Sequence, residues 1–117
     1  MKALIVEDNA LKRFTIRALL EKLGHEVAGE IENGDKAVEA FTALRPDVVF
    51  LDIILPGRSG LEILSDIKSM NPAAKVVIIT ALVQKEMENK LTDNGADAII
   101  YKPFSYEEFK EGIKRLK

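Results

Sequence analysis

At 117 residues the chain is the size of one domain, and its 47% hydrophobic and 31% charged residues are the mix of a folded globular protein, not a disordered one. Seventeen Lys and Arg against nineteen Asp and Glu give a net charge of −2, which leaves no overall field to hold nucleic acid or an anionic membrane. The absence of cysteine excludes disulfides, thiolate zinc sites and cysteine nucleophiles, and one histidine is too few for a histidine-rich metal site. What remains is chemistry built on hard oxygen ligands. The opening apolar run is broken by acids at Glu7 and Asp8, too early for a signal peptide or a membrane span, so a cytoplasmic protein is expected.

In chain order, the first element is a strand over Ala3 to Val6, apolar and β-branched, too short for a helix. A helix follows, with Leu11, Phe14 and Ala18 joined by Ile16, Leu19, Leu20 and Leu23 at helical spacing, stopped at Leu23-Gly24. Glu26 to Ile31 alternates charged and apolar residues around Gly29, which suits a strand at a sheet edge. Ala37, Val38, Phe41 and Leu44 mark a second helix, and Val48 to Leu51 a buried strand. Ser59 with Glu62 predicts a capping box at the start of a third helix carrying Leu61, Ile63, Leu64 and Ile67, which stops at Asn71-Pro72. Val76 to Ile79 is the fourth strand. The weak apolar face of Val83, Met87 and Leu91 gives the segment Gln84 to Asn94 the least buried and most mobile helix. A strand over Ala98 to Ile100, a capping box at Ser105 and Glu108, and a last helix with Phe109, Ile113 and Leu116, ending at Lys117, complete the chain.

Five strands, each followed by a helix, predict an α/β fold: a (βα)5 doubly wound parallel sheet. The order 2-1-3-4-5 places the polar second strand at an edge, as its composition requires. One domain is expected over 1–117, with no output domain.

In open α/β sheets ligands sit beyond the carboxyl ends of the strands. There the sequence places Glu7 and Asp8 after strand one, Asp52 after strand three, Thr80 at the end of strand four and Lys102 after strand five. Strands one and three are neighbours at the switch point, so three carboxylates share a small volume and repel unless a cation joins them. Magnesium, which favours hard oxygen ligands and keeps several waters, is the natural candidate. Thr80 offers a hydroxyl and Lys102 an ammonium to phosphoryl oxygens. The set describes phosphoryl transfer, with Asp52 as the central nucleophile that would form an acyl phosphate.

The stretches VEDN at 6 to 9, DIILPGRSG at 52 to 60, TAL at 80 to 82 and GADAIIYKPF at 95 to 104, in this order, make the whole chain resemble a response regulator receiver domain, a flavodoxin-like fold of two-component signalling. The resemblance implies that Asp52 takes a phosphoryl group from the phosphohistidine of a sensor histidine kinase. It implies that Glu7, Asp8, Asp52 and the backbone carbonyl of Ile54 hold Mg2+, directly or through water, and that Thr80 and Lys102 bind the phosphoryl oxygens. It also implies that Thr80 and Tyr101 act as the switch, altering the surface of helix four, strand five and helix five, and that the Lys102-Pro103 bond is cis. The protein would then be a signalling domain whose only catalysis is its own phosphorylation and dephosphorylation. Its partners would be the kinase and either a downstream target or a histidine phosphotransfer protein, with no nucleic acid or membrane bound directly.

Competing readings fail on particular residues. A flavin mononucleotide binder needs a hydroxyl- and glycine-rich loop after strand one, where Glu7-Asp8-Asn9 carries the wrong charge. A haloacid-dehalogenase-like phosphatase needs a second acid two residues after Asp8, and that position is Ala10. A degenerate receiver would lack an acid, Thr80 or Lys102, and none is missing. His25 is expected exposed in a turn and without a phosphorelay role, and Arg58 a solvated loop charge. Within the family the open alternative is a phosphorelay intermediate that hands its phosphoryl group on to a histidine phosphotransfer protein.

Overall fold

The computed structural model describes residues 1–116. Its elements are β1 (Lys2–Val6), α1 (Ala10–Lys22), β2 (Glu26–Ile31), a 3-10 turn (Gly34–Lys36), α2 (Ala37–Leu44), β3 (Val48–Leu51), α3 (Gly60–Met70), β4 (Lys75–Thr80), α4 (Lys85–Asp93), β5 (Ala98–Tyr101) and α5 (Tyr106–Lys114). All strand pairs are parallel and their order is β2-β1-β3-β4-β5, as the sequence predicts. The expected helix end at Lys117 lies outside the described residues.

The pleat sends alternate side chains into two separate cores. Leu4, Val6, Val49, Leu51, Val76 and Ile78 join Phe41, Ile63, Leu64, Ile67 and Leu91 on the α2–α3–α4 side. Ala3, Ile5, Val48, Phe50, Val77, Ile79, Ala98 and Ile100 join Ile16, Leu20, Phe109 and Ile113 on the α1–α5 side. The central strands are covered on both faces, which is why their sequences are unbroken apolar runs. β2 has no fully buried residue and exposes Glu26 and Glu30, as an edge strand should.

Of the two capping boxes expected, one forms in full. Asn9 accepts the Lys12 amide at 2.9 Å, and Ser105 with Glu108 forms a full capping box. Ser59 accepts the Glu62 amide, but the Glu62 carboxylate accepts from the Ser59 hydroxyl instead of the Ser59 backbone amide, so this box is only half made.

Three packing expectations need correction. In α1 the buried stripe is Ile16 and Leu20, flanked by Leu19 and Leu23, while Leu11 and Phe14 are 73% and 66% exposed and Ala18 is exposed too. A helix against one sheet buries one stripe, and residues 11, 14 and 18 fall on the opposite side. In α4, Val83 lies outside the helix and is 70% exposed, so Leu91 alone is buried, with Met87 half-buried. His25 is half-buried instead of exposed, its Nδ1 2.9 Å from the N-terminal ammonium.

Candidate functional site

The backbone holds the candidate residues before their side chains act. Glu7, Asp52 and Lys102 are each the first residue past a strand, and their amides still belong to the ladder. Glu7 donates to the Ile31 carbonyl at 3.0 Å, Asp52 to Val6 at 3.1 Å and Lys102 to Thr80 at 2.8 Å. Their positions continue the alternation of Ala3 and Ile5, Val48 and Phe50, and Ala98 and Ile100, so the pleat aims all three at the α1–α5 side. Thr80 continues Val76 and Ile78 on the other side. Lys102-Pro103 is cis, as the resemblance implies.

The result is a compact ionic cluster. Lys102 Nζ lies 2.6 Å from Glu7 Oε1 and 2.8 Å from Asp52 Oδ2, and one carboxylate oxygen from each of Glu7, Asp8 and Asp52 lies within 4.8 Å of the others. Glu7 and Asp52 are 2% and 8% exposed, while Asp8 faces solvent. Burial raises the Glu7 pKa, a rise that the hydrogen bond from Lys102 opposes but does not cancel. Burial pulls the Lys102 pKa down, but its hydrogen bonds to Asp52 and Glu7 outweigh this and leave it raised. The two directions have different causes: burial dominates at Glu7, and the carboxylate partners dominate at Lys102. That donor set, hard oxygens in negative excess with one acid open to solvent, fits a divalent cation such as Mg2+.

Thr80 is 1% exposed, and its Oγ1 accepts the Leu82 amide at 3.1 Å. It shares the carboxyl edge with the cluster but stands on the opposite face of the sheet. The Ile54 amide donates to Asp52 Oδ1 at 3.3 Å, which leaves the apolar Ile54 side chain 66% exposed beside the cluster. Arg58 is not the solvated loop charge expected: half-buried, it pairs with Asp66 at 2.6 Å and Glu62 at 3.8 Å on α3.

Two glycine contacts support the Asp52 loop. A Cβ on Gly60 would lie 2.3 Å from the Asp52 carbonyl oxygen. Gly57, at φ +84°, sits so close to Asn33 and Asp35 that a Cβ would overlap both. The Gly34 amide closes this contact by donating to the Pro56 carbonyl at 2.9 Å.

Tyr101 is half-buried, and its hydroxyl donates to Glu88 Oε2 on α4 at 2.5 Å. This bond pushes the phenol up to about 12 and lowers Glu88. A raised pKa favours the protonated phenol in the folded state, so this tie between β5 and α4 is present below the ordinary phenol value and is lost as pH rises through about 12. Glu88→Gln is expected to lower the ionisation of one tyrosine from about 12 toward the ordinary phenol range in an ultraviolet phenolate titration. An unchanged titration curve would mean that the pair does not form.

The chain matches the response regulator receiver domain over residues 3–114. It is 35% identical to the chemotaxis protein CheY of Thermotoga maritima over 115 residues, 98% of this chain and 96% of that protein. Among solved structures, a DNA-binding response regulator of the LuxR family from Staphylococcus aureus is 32% identical with a TM-score of 0.91, over 98% of this chain and 97% of that one. The BeF3-activated N-terminal receiver domain of Klebsiella pneumoniae RstA is 28% identical with a TM-score of 0.90, over 100% of this chain and 99% of that one. Five parallel strands in the order β2-β1-β3-β4-β5, the acids gathered at their carboxyl ends and these likenesses agree: the chain belongs to the family of response regulator receiver domains, the signalling domains of two-component systems.

Proposed function

We propose that Asp52 is the phosphoacceptor of a Mg2+-dependent receiver that takes its phosphoryl group from a sensor histidine kinase. The observation that carries this is the position of the Asp52 carboxylate: Oδ2 on the Lys102 ammonium, one oxygen within 4.8 Å of those of Glu7 and Asp8, and the residue nearly closed to solvent. In the transfer an Asp52 oxygen forms a bond to phosphorus as the phosphorus–nitrogen bond to the donor imidazole breaks, and the imidazole leaves with that electron pair. Glu7, Asp8 and Asp52, with the Ile54 carbonyl, would hold Mg2+, which supplies positive charge to the phosphoryl oxygens. Lys102 already faces the place those oxygens would take. Thr80, which leaves β4 on the other face, reaches them by a shift of the end of β4 that takes its hydroxyl from the Leu82 amide over the edge of the sheet.

Output runs through the switch residues Thr80 and Tyr101. Moving Thr80 toward the phosphoryl group disturbs the β4–α4 loop, and the Tyr101–Glu88 bond carries that disturbance between α4 and β5. α4 is suited to respond, since Leu91 is its one fully buried side chain and Gln84 caps it with no side-chain bond. The reading is of one receiver domain over 1–117, acting in the cytoplasm on a downstream target or a histidine phosphotransfer protein. No described helix is long and apolar enough to cross a membrane.

The test is incubation with a small phosphodonor, with Mg2+ and with chelator, followed by mass mapping of the labelled residue. Label on Asp52 that requires Mg2+ supports the reading. Label elsewhere, or label indifferent to chelation, overturns it. Back-transfer to histidine phosphotransfer proteins in the same assay separates a relay intermediate from an output module.

A further inference from the structure

We infer that Arg13, on α1, is a positioning residue that sets the aim of Asp8 and thereby the Mg2+ affinity of the site; the inference rests on the cation reading above. Asp8 is the exposed acid of the three, with no strand to fix it, yet its carboxylate must stay within reach of Glu7 and Asp52. One nitrogen of Arg13, Nη1, donates to both the Glu7 carbonyl at 2.7 Å and the Asp8 carbonyl at 3.1 Å. Those oxygens belong to the two peptide planes on either side of the Asp8 α-carbon. Because peptide units are rigid, holding both planes fixes φ and ψ of Asp8, and so the direction of its Cα–Cβ bond.

The guanidinium is itself held. Its side chain is 16% exposed, Nε lies 3.7 Å from Glu30 Oε1 and Nη2 3.7 Å from Glu32 Oε2, both acids being at the end of β2. Arg17 also pairs with Glu30, at 3.1 Å. The Glu7 amide is bonded to Ile31 of the same strand. The end of β2 thus braces the acid loop through one planar cation, whose fork of donors serves carbonyls on one side and carboxylates on the other.

Charge alone and positioning predict opposite signs. A positive group beside the acids repels a divalent cation, so if Arg13 acted only through its charge, removing it would tighten Mg2+ binding. If it acts by aiming Asp8, removing it weakens binding, and lost outer-shell supports of metal ligands cost about 10- to 100-fold in affinity.

The experiment is a calorimetric Mg2+ titration of the unphosphorylated protein, with amide shifts at Asp8 and Asn9 followed by NMR. Arg13→Met is expected to bind Mg2+ about ten-fold more weakly. Arg17→Met, which breaks a pair to the same Glu30 but touches neither carbonyl, is expected to bind like the parent. Arg13→Met at parental affinity or tighter overturns the inference, as does equal weakening in Arg17→Met. If Arg13→Met does not fold, Arg13→Lys serves: it keeps the charge and loses the planar fork, so weaker binding supports the inference and parental affinity overturns it. A parent that binds no Mg2+ would instead sink the cation reading on which the inference stands.

Discussion

Asp52→Asn is expected to take up no phosphoryl group from a small donor or from a kinase, while staying folded with a stability within about 1 kcal/mol of the parent. The loss is complete because an amide has no anionic oxygen to attack phosphorus. The small stability change follows from the ionic cluster. Asparagine keeps one carbonyl oxygen, enough for either the 3.3 Å bond from the Ile54 amide or the contact with Lys102, but not both. Against that loss, one of three crowded carboxylates disappears while Glu7 keeps its 2.6 Å bond to Lys102. Phosphate incorporation and thermal unfolding of the same preparation check both halves. Undiminished labelling would remove Asp52 as the acceptor, and a large fall in stability would mean that its ion pair outweighs the repulsion it relieves.

Loss of the phosphoryl group is expected to be slow, and Ile54→Asn combined with Leu82→Glu to accelerate it about ten-fold, equivalent to about 1.4 kcal/mol of barrier. Hydrolysis of an acyl phosphate needs a water placed in line behind phosphorus. Ile54 and Leu82 stand two residues after Asp52 and Thr80, and their amides bond to Asp52 Oδ1 and Thr80 Oγ1, which tethers both residues to the edge that the water must cross. Ile54 is largely exposed and Leu82 half-buried, two branched apolar groups that offer water no partner where a polar pair would orient it. Phosphate release in excess Mg2+, with label confirmed on Asp52 in both proteins, decides the matter. Equal rates, or faster loss in the parent, would place control of water access elsewhere.

Much of this structure is legible in the sequence because parallel strands covered on both faces leave a strong mark. The runs at 3–6, 48–51 and 76–79 are apolar without interruption, and the polar edge strand at 26–31 breaks the pattern where the sheet ends. Glu7, Asp52 and Lys102 are legible for a related reason: each is the first residue past a strand, and the ladder carries its backbone to the edge, with Asp8 one residue further on. Less visible is the side that a helix turns inward. α1 carries two apolar stripes, and only packing selects Ile16 and Leu20 over Leu11 and Phe14. Side-chain bonds to backbone carbonyls leave no pattern at all, so nothing in the spacing of Arg13 announces that it holds Glu7 and Asp8. The contact of Gly57 with Asn33 and Asp35 is hidden likewise, since it joins two loops distant in sequence and depends on the room a missing side chain leaves.

The division of the carboxyl edge between two faces has a consequence for how such a protein can diversify. Glu7, Asp52 and Lys102 project to one side of the sheet, Thr80 to the other, and Tyr101 is tied to α4. Substitutions that redraw the α4 surface therefore need not disturb the ion pairs at Asp52. A lineage built on this plan can exchange the listener while the means of receiving the message stays constant, because the ion pairs at Asp52 and the tie from Tyr101 to α4 leave the sheet on opposite faces.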